Sequence, residues 1–130
     1  MTAPRHRFDS SRHLRASREF ARVKTEAATF RGQHCLLLAL AHPGEPTRVG
    51  FIASRKGVGG AVERNRARRR LREILRVRWP RVPHTGYWLV LIAHRSSLTA
   101  AHPDLADDVE RVLAAAGALA PIPRKPEIPE

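Results

Sequence analysis

No helix breaker occurs between Gly60 and Pro80, and the apolar pattern inside that interval constrains the fold more than any other stretch of the chain. Gly57, Gly59 and Gly60 free the backbone to change direction, and Ala61 to Val77 reads as a helix running from that turn. At roughly 100° per residue, Ala67, Leu71, Ile74 and Leu75 fall within an arc of about 100°, the width of one buried stripe. Arg66, Arg68, Arg69, Arg70, Arg72 and Arg76 fill the remaining circumference, where like charges at helical spacing repel by a few tenths of a kcal/mol per pair. One side of this helix must therefore pack on a core, and something outside the fold must favour the other. The segment Arg55 to Arg81 carries 11 of the 24 Lys+Arg residues against Glu63 and Glu73 alone, a net +9 of the formal +12. Ten of those 11 are arginine, whose planar fork matches phosphate oxygens bidentately where lysine offers a point charge. A merely solvated face normally mixes signs, so the expectation is a polyanionic partner.

A chain of 130 residues with 42% hydrophobic residues fits one domain with a modest core. A pI near 11.6 points to nucleic acid or an anionic membrane surface. The apolar run Cys35 to Ala41 is far short of the roughly 20 residues that cross a bilayer, and no secretory apolar region follows the basic start at Arg5, His6 and Arg7. The cytoplasm is the expected location, with no membrane association. The single cysteine, Cys35, rules out an internal disulfide and reads as a small core residue.

Residues 1–13 lack apolar periodicity and are expected to form a mobile basic segment, followed by one domain over residues 14–118 and a disordered proline-rich tail over 119–130. Ser17 reads as an N-cap for a helix from Arg18 to Ala27, with Phe20, Val23 and Ala27 on one face and Arg15, Arg18 and Arg22 outside. Cys35 to Ala41 reads as a buried strand ending in a turn at His42-Pro43-Gly44-Glu45-Pro46, and Arg48 to Ser54 as a second strand. Its alternation sets Val49, Phe51 and Ala53 against Gly50, Ile52 and Ser54 and leaves small residues on one side, a face that could approach another chain or a helix closely. Tyr87 to Ala93 is the strongest strand signal. Pro103 opens a last helix with Asp104, Asp107, Asp108 and Glu110 near its positive end, Leu105, Val109, Val112 and Leu113 buried, and Gly117 as the stop. The order of helix, two or three strands, basic helix, strand and helix is α+β.

No convincing catalytic or metal site emerges. Gly57-Val58-Gly59-Gly60 lacks the Gly-Lys-Ser/Thr of a phosphate-binding loop, and Val62 stands where a dinucleotide motif needs its third glycine. The glycines serve either the turn alone or a phosphate contact at the helix start. His6, His13, His34, His42, His84, His94 and His102 show no i, i+4 pairing, and one cysteine cannot build a zinc cage. The carboxylates near Asp104 read as a helix N-terminal feature, not as ligands converging from different elements.

The run Arg64-Asn65-Arg66-Ala67-Arg68-Arg69, with Ala61-Val62 before it and Arg72-Glu73 after it, resembles the signature of the bacterial ribonuclease P protein component. Leu14 followed six residues later by Phe20 resembles that family's N-terminal pattern. Arg68 replaces the more usual lysine and keeps the charge, while Gly60 stands where many members carry a larger polar residue. The resemblance covers about Leu14 to Leu113. It implies one small mixed sheet in which the arginine-rich helix makes a left-handed βαβ crossover, against the usual right-handed preference. It also implies a protein subunit of ribonuclease P that binds the catalytic RNA subunit and the 5′ leader of precursor tRNA. In that enzyme the RNA holds the Mg2+ ions and cleaves, and the protein binds no cofactor and needs no obligate protein partner.

Arg55, Lys56, Arg64, Arg66, Arg68, Arg69 and Arg72 would then bind RNA phosphates. Asn65 would either touch RNA or fix the helix start. Phe20, Lys24, Arg15 and Arg18 would line the leader cleft, Phe20 by stacking on a base or by packing in the core. Lys24 stands where the family often has a second aromatic, which shifts leader recognition toward charge. The alternatives are a general RNA-binding or ribosome-associated protein, a basic-helix DNA reader and a nuclease acting without RNA. Trp79-Pro80 ends the basic helix where a DNA reader would continue into a dimerising heptad helix.

Overall fold

The computed structural model describes residues 13–14 and 17–120. The expected mobile start up to residue 12, Arg15, and the tail from residue 121 lie outside the described residues. Helix α1 (Ser17–Glu26) leads into strands β1 (Ala28–Arg31), β2 (Cys35–Pro46) and β3 (Arg48–Ile52). Helix α2 (Ala61–Arg78), a 3-10 turn (Trp79–Arg81), strand β4 (Thr85–Ala93), a second 3-10 turn (Arg95–Leu98) and helix α3 (His102–Ala115) complete the order. The four strands form one mixed sheet in the order β1-β2-β4-β3, with β3 and β4 parallel and the other pairs antiparallel. The α+β expectation holds.

Period-2 alternation sorts the sheet into two faces. Cys35, Leu37, Val49, Leu89 and Leu91 point to one side, where they pack against Ala67, Leu71, Ile74 and Leu75 of α2 and Leu105, Val109, Val112 and Leu113 of α3. All four residues of the expected α2 stripe are buried. Leu38, Trp88 and Val90 point to the other side, where α1 docks through Val23 and the half-buried Phe20 and Ala27.

The hand of the β3-α2-β4 crossover follows from one hydrogen bond. Leu14 N–H donates to the Val49 carbonyl at 3.1 Å, so the polar groups of Val49 point away from β4 while its side chain faces α2. In a strand of L-residues running upward with a side chain toward the viewer, that residue's own N–H and C=O point right. Seen from α2, Leu14 therefore lies right of β3 and β4 lies left, and the crossover is left-handed, the rare hand.

Gly50 shows why β3 carries small residues on the α1 side. A Cβ there would stand 2.5 Å from Phe20 Cε1 and 2.7 Å from Cζ, so only glycine lets the ring lie on the strand. Gly50→Ala is expected to destabilise the domain by about 1–3 kcal/mol through overpacking and to push Phe20 off the strand. Chemical denaturation checks it, and an unchanged midpoint would mean that α1 is not seated as described.

Several expectations need correction. Ser17 is the first residue of α1, not a residue preceding it. His42 to Pro46 does not end β2: the ladder passes from His42↔Gly86 to Pro46↔Thr85, and residues 43–45 bulge out around Gly44 at φ +83. A bulge accommodates proline and glycine within a strand because the looped-out residues make no ladder bonds. Strand β1 is short and mostly exposed, with no apolar alternation to announce it. Gly117, at φ +75, does end α3.

The acidic residues of α3 divide their roles. Asp108 is buried, 1% exposed, and faces the β1–β2 turn: its Oδ1 accepts from Gln33 N–H and its Oδ2 from His34 N–H, each at 2.8 Å. Glu110 accepts from Arg78 Nε at 2.8 Å and Arg81 Nη1 at 3.2 Å, tying α3 to the end of α2. Neither acts as a solvated charge at the positive end of the helix.

Candidate nucleic-acid interface

The arginines of α2 separate into a structural set and an exposed set. Arg70 turns to the second 3-10 turn, where Nη2 donates to the Ala100 carbonyl at 2.7 Å and Nη1 donates to the Ser97 carbonyl. Carbonyls at the end of a helical turn lack partners of their own, and the guanidinium fork supplies them. Arg70, expected among the outward residues, is therefore a clasp between α2 and the segment before α3. Arg76 pairs with Glu73 one turn back, and Arg78 and Arg81 hold Glu110.

Arg66 and Arg69 are exposed and have no acidic partner among the described residues. Arg72 is exposed with its Cζ 5.5 Å above the Phe51 ring, a cation–π contact that keeps the guanidinium raised beside β3. Asn65 neither fixes the helix start nor stands alone: its Oδ1 accepts from Arg68 Nη2 and holds that half-buried side chain along the helix. Arg64 is half-buried and its Nε has no acceptor. Arg55 and Lys56 are exposed in the turn leading to α2.

The Gly57–Gly60 loop is a packed turn. Val58 is buried, its carbonyl accepts from Arg95 Nη1 at 2.7 Å, and Gly57 N–H donates to Ser54 Oγ at 2.8 Å. Gly59, at φ +143, needs the freedom of glycine, and the N-cap Gly60 provides no side-chain acceptor for the first-turn donors of α2. The basic surface thus begins at Arg55 and Lys56 and continues along α2 through Arg66, Arg69 and Arg72.

On the opposite face of the sheet, Ser17, Phe20, Ala21, Lys24 and Ile52 line a groove of about 370 Å³. Phe20 packs partly on the sheet and also lines this groove, so core packing and exposure to a ligand coexist in one ring. Lys24 contributes charge at the same wall. Arg18 does not join them: it lines a second depression with Glu19, Arg22 and Trp88 on the other flank of α1. Two positions along a helix turn a side chain by roughly 200°, which separates Arg18 from Phe20.

Trp88 and His42 are site features that the reading of the sequence passed over. Their rings stack with centroids 4.5 Å apart, and Arg22 Cζ lies 5.6 Å from the Trp88 centroid. The alternation Trp88, Val90, Ile92 in β4 was the available signal, since it puts Trp88 on the α1 face.

Cys35 is a core thiol. Burial, then the charge and hydrogen bond of Asp108, hold it well above the ordinary thiol range, against the opposing pull of Arg111. Among the described residues no group of three or more His, Cys, Asp or Glu could hold a metal ion, and no helix is long and apolar enough to cross a membrane.

A family model of ribonuclease P matches residues 8–117. The chain belongs to the ribonuclease P protein family. It is 53% identical over 76 residues to the ribonuclease P protein component of Symbiobacterium thermophilum, an alignment covering 58% of this chain and 64% of that one. With the component of Gluconacetobacter diazotrophicus it shares 36% identity over 110 residues, covering 84% of this chain and 94% of that one. Two solved structures share the fold. The Staphylococcus aureus RNase P protein superposes with a TM-score of 0.73 at 19% identity, over 85% of this chain and 99% of that one. The Thermotoga maritima RNase P protein gives 0.69 at 22%, over 79% and 96%. Family membership makes this chain a protein subunit of ribonuclease P, acting in tRNA processing.

Proposed function

We propose that this ribonuclease P protein binds the catalytic RNA subunit through the exposed arginines of α2 and the 5′ leader of precursor tRNA in the groove lined by Phe20 and Lys24. The RNA subunit holds the Mg2+ ions and performs the hydrolysis that releases the leader and leaves the mature 5′ end. The protein contributes binding and orientation, which lower the barrier by holding substrate and catalyst together, and it works in the cytoplasm without a cofactor or obligate protein partner of its own. The observation that carries this reading is the division of the arginines. Arg70, Arg76, Arg78 and Arg81 are taken up by carbonyls and carboxylates of the fold, while Arg66 and Arg69 of α2 stand exposed with no acidic partner among the described residues. Like charges held that way are stabilised by an external polyanion.

The test is cleavage of precursor tRNA by the protein alone, by the RNA subunit alone and by both, at low magnesium. Cleavage is expected from the RNA subunit and to rise at least tenfold when the protein is added, because neutralised phosphates need fewer free cations. Cleavage by protein alone would overturn the assignment of catalysis to RNA. An unchanged RNA-driven rate would reduce the chain to a general RNA-binding protein.

A further inference from the structure

The second depression, on the Trp88 flank of α1, gathers donors whose acceptors are absent or only weakly held. It encloses about 300 Å³ between Arg18, Glu19, Arg22 and Trp88. Trp88 is 9% exposed, and its indole Nε1–H is buried with no hydrogen-bond partner. An indole nitrogen only donates, so whatever satisfies it must be an acceptor. Arg18 is exposed and has no ion pair among the described residues. Glu19, the one carboxylate on the lining, is already engaged by Arg48 Nη1 at 3.1 Å. Arg22 covers the indole ring, yet its side chain is 47% exposed and its ion pair with Glu26 is an i,i+4 surface contact, which holds it weakly. His42, stacked on Trp88, lies 3.1 Å from Arg22 Nη1 through Nε2, so imidazole and guanidinium share one side of the indole.

We propose that Arg18, Arg22 and Trp88 form a phosphate site that takes a phosphodiester group of single-stranded RNA. Arg22 moves from the indole face onto the phosphate oxygens, uncovering Nε1–H, which donates to the same group. A guanidinium fork and a neutral donor meeting at one point suit a phosphodiester better than a base edge, which would present donors as well as acceptors. The site shares the first turn of α1 with the Phe20 groove, since Ser17 lines one depression and Arg18 the other. A strand rounding that turn would engage both flanks of the helix. The source of the phosphate, precursor leader or RNA subunit, rests on the function proposed above; the contact itself does not.

The test uses the full-length 15N-labelled protein titrated with hexauridylate, read at the two indole N–H resonances. The Trp88 resonance is expected to move downfield and saturate, while that of Trp79 stays in place as an internal reference. Trp88→Phe keeps the ring and removes the donor, and should weaken hexauridylate binding about 5- to 10-fold. Arg18→Ala with Arg22→Ala should flatten the log-log salt dependence by about one unit. In reconstituted ribonuclease P, a loss confined to precursor tRNA with a long leader assigns the phosphate to the leader. An equal loss for RNA subunit alone assigns it to that subunit, and both results support the site. A Trp88 resonance unmoved by saturating hexauridylate, with unchanged affinity in Trp88→Phe, overturns it. That outcome is independent of whether the protein stimulates RNA-driven cleavage.

Discussion

Replacing Asp108 by alanine is expected to remove about 3–5 kcal/mol of stability, a large share of what a domain of this size possesses. The carboxylate accepts the backbone N–H groups of Gln33 and His34 at 2.8 Å and the Cys35 thiol at 3.4 Å, and pairs with Arg111 at its exposed rim. Alanine would leave two partly buried backbone donors without that acceptor, each costing up to about 1–3 kcal/mol, and would open a void beside Gly32. Gly32 is itself part of this arrangement, because a Cβ there would stand 2.5 Å from Asp108 Oδ2. Asp108→Asn should cost less, since one oxygen remains to accept. Urea unfolding followed by circular dichroism reads both, and an unchanged midpoint in Asp108→Ala would show that the turn holds without its carboxylate.

The same group sets a pH dependence of known sign. Burial on its own would raise the Asp108 pKa, but the N–H groups of His34 and Gln33, with Arg111 and the Cys35 thiol, outweigh it and hold the carboxyl below its ordinary value. A carboxyl whose folded pKa lies below its unfolded value, near 3.9, contributes stability that is present above that value and is lost as pH falls through the folded one. The difference between the native protein and Asp108→Asn should therefore be constant from neutral pH down to about 5 and narrow only below about 4.

What the sequence revealed, and what it hid, follows from the range of each interaction. Ala67, Leu71, Ile74 and Leu75 were legible because a buried stripe repeats within two turns of one helix. The face of β3 that holds Gly50 and Ile52 was legible as one that another element could approach, although only the structure identifies Gly50 as the contact point and Phe20 as the residue that approaches. Arg70 was not, because its acceptors lie 27 and 30 residues away and an arginine that reaches a carbonyl has the same local pattern as one that faces water. Asp108 was misassigned for the same reason: its turn lies 75 residues earlier, and position near a helix start offered a sufficient local explanation. The separation of Arg18 from Phe20 was a different case, since the helical period alone separates them. The left-handed crossover came from family resemblance, and its structural proof needs the Leu14–Val49 bond together with the face that Val49 occupies.

Substituting Arg66 and Arg69 together by alanine should weaken RNA subunit binding by roughly 2 kcal/mol, about 30-fold at low salt, and reduce the log-log salt slope by about one to two units. Both side chains are exposed, lie three residues apart and have no acidic partner among the described residues, so each is free to neutralise one phosphate. Their removal also relieves repulsion along α2, and the free energy of unfolding should hold or rise by a few tenths of a kcal/mol. Arg70→Ala gives the opposite pattern. Losing the clasp on Ser97 and Ala100 should destabilise the fold by about 1–3 kcal/mol while leaving the salt slope of the folded protein nearly unchanged. The pair of variants separates two uses of one residue type on one helix: the slope falls without stability in the Arg66, Arg69 variant, and stability falls without the slope in Arg70→Ala. Equal slopes for native protein and the Arg66, Arg69 double variant would mean that these guanidinium groups meet no phosphate, and the RNA would have to dock on another surface.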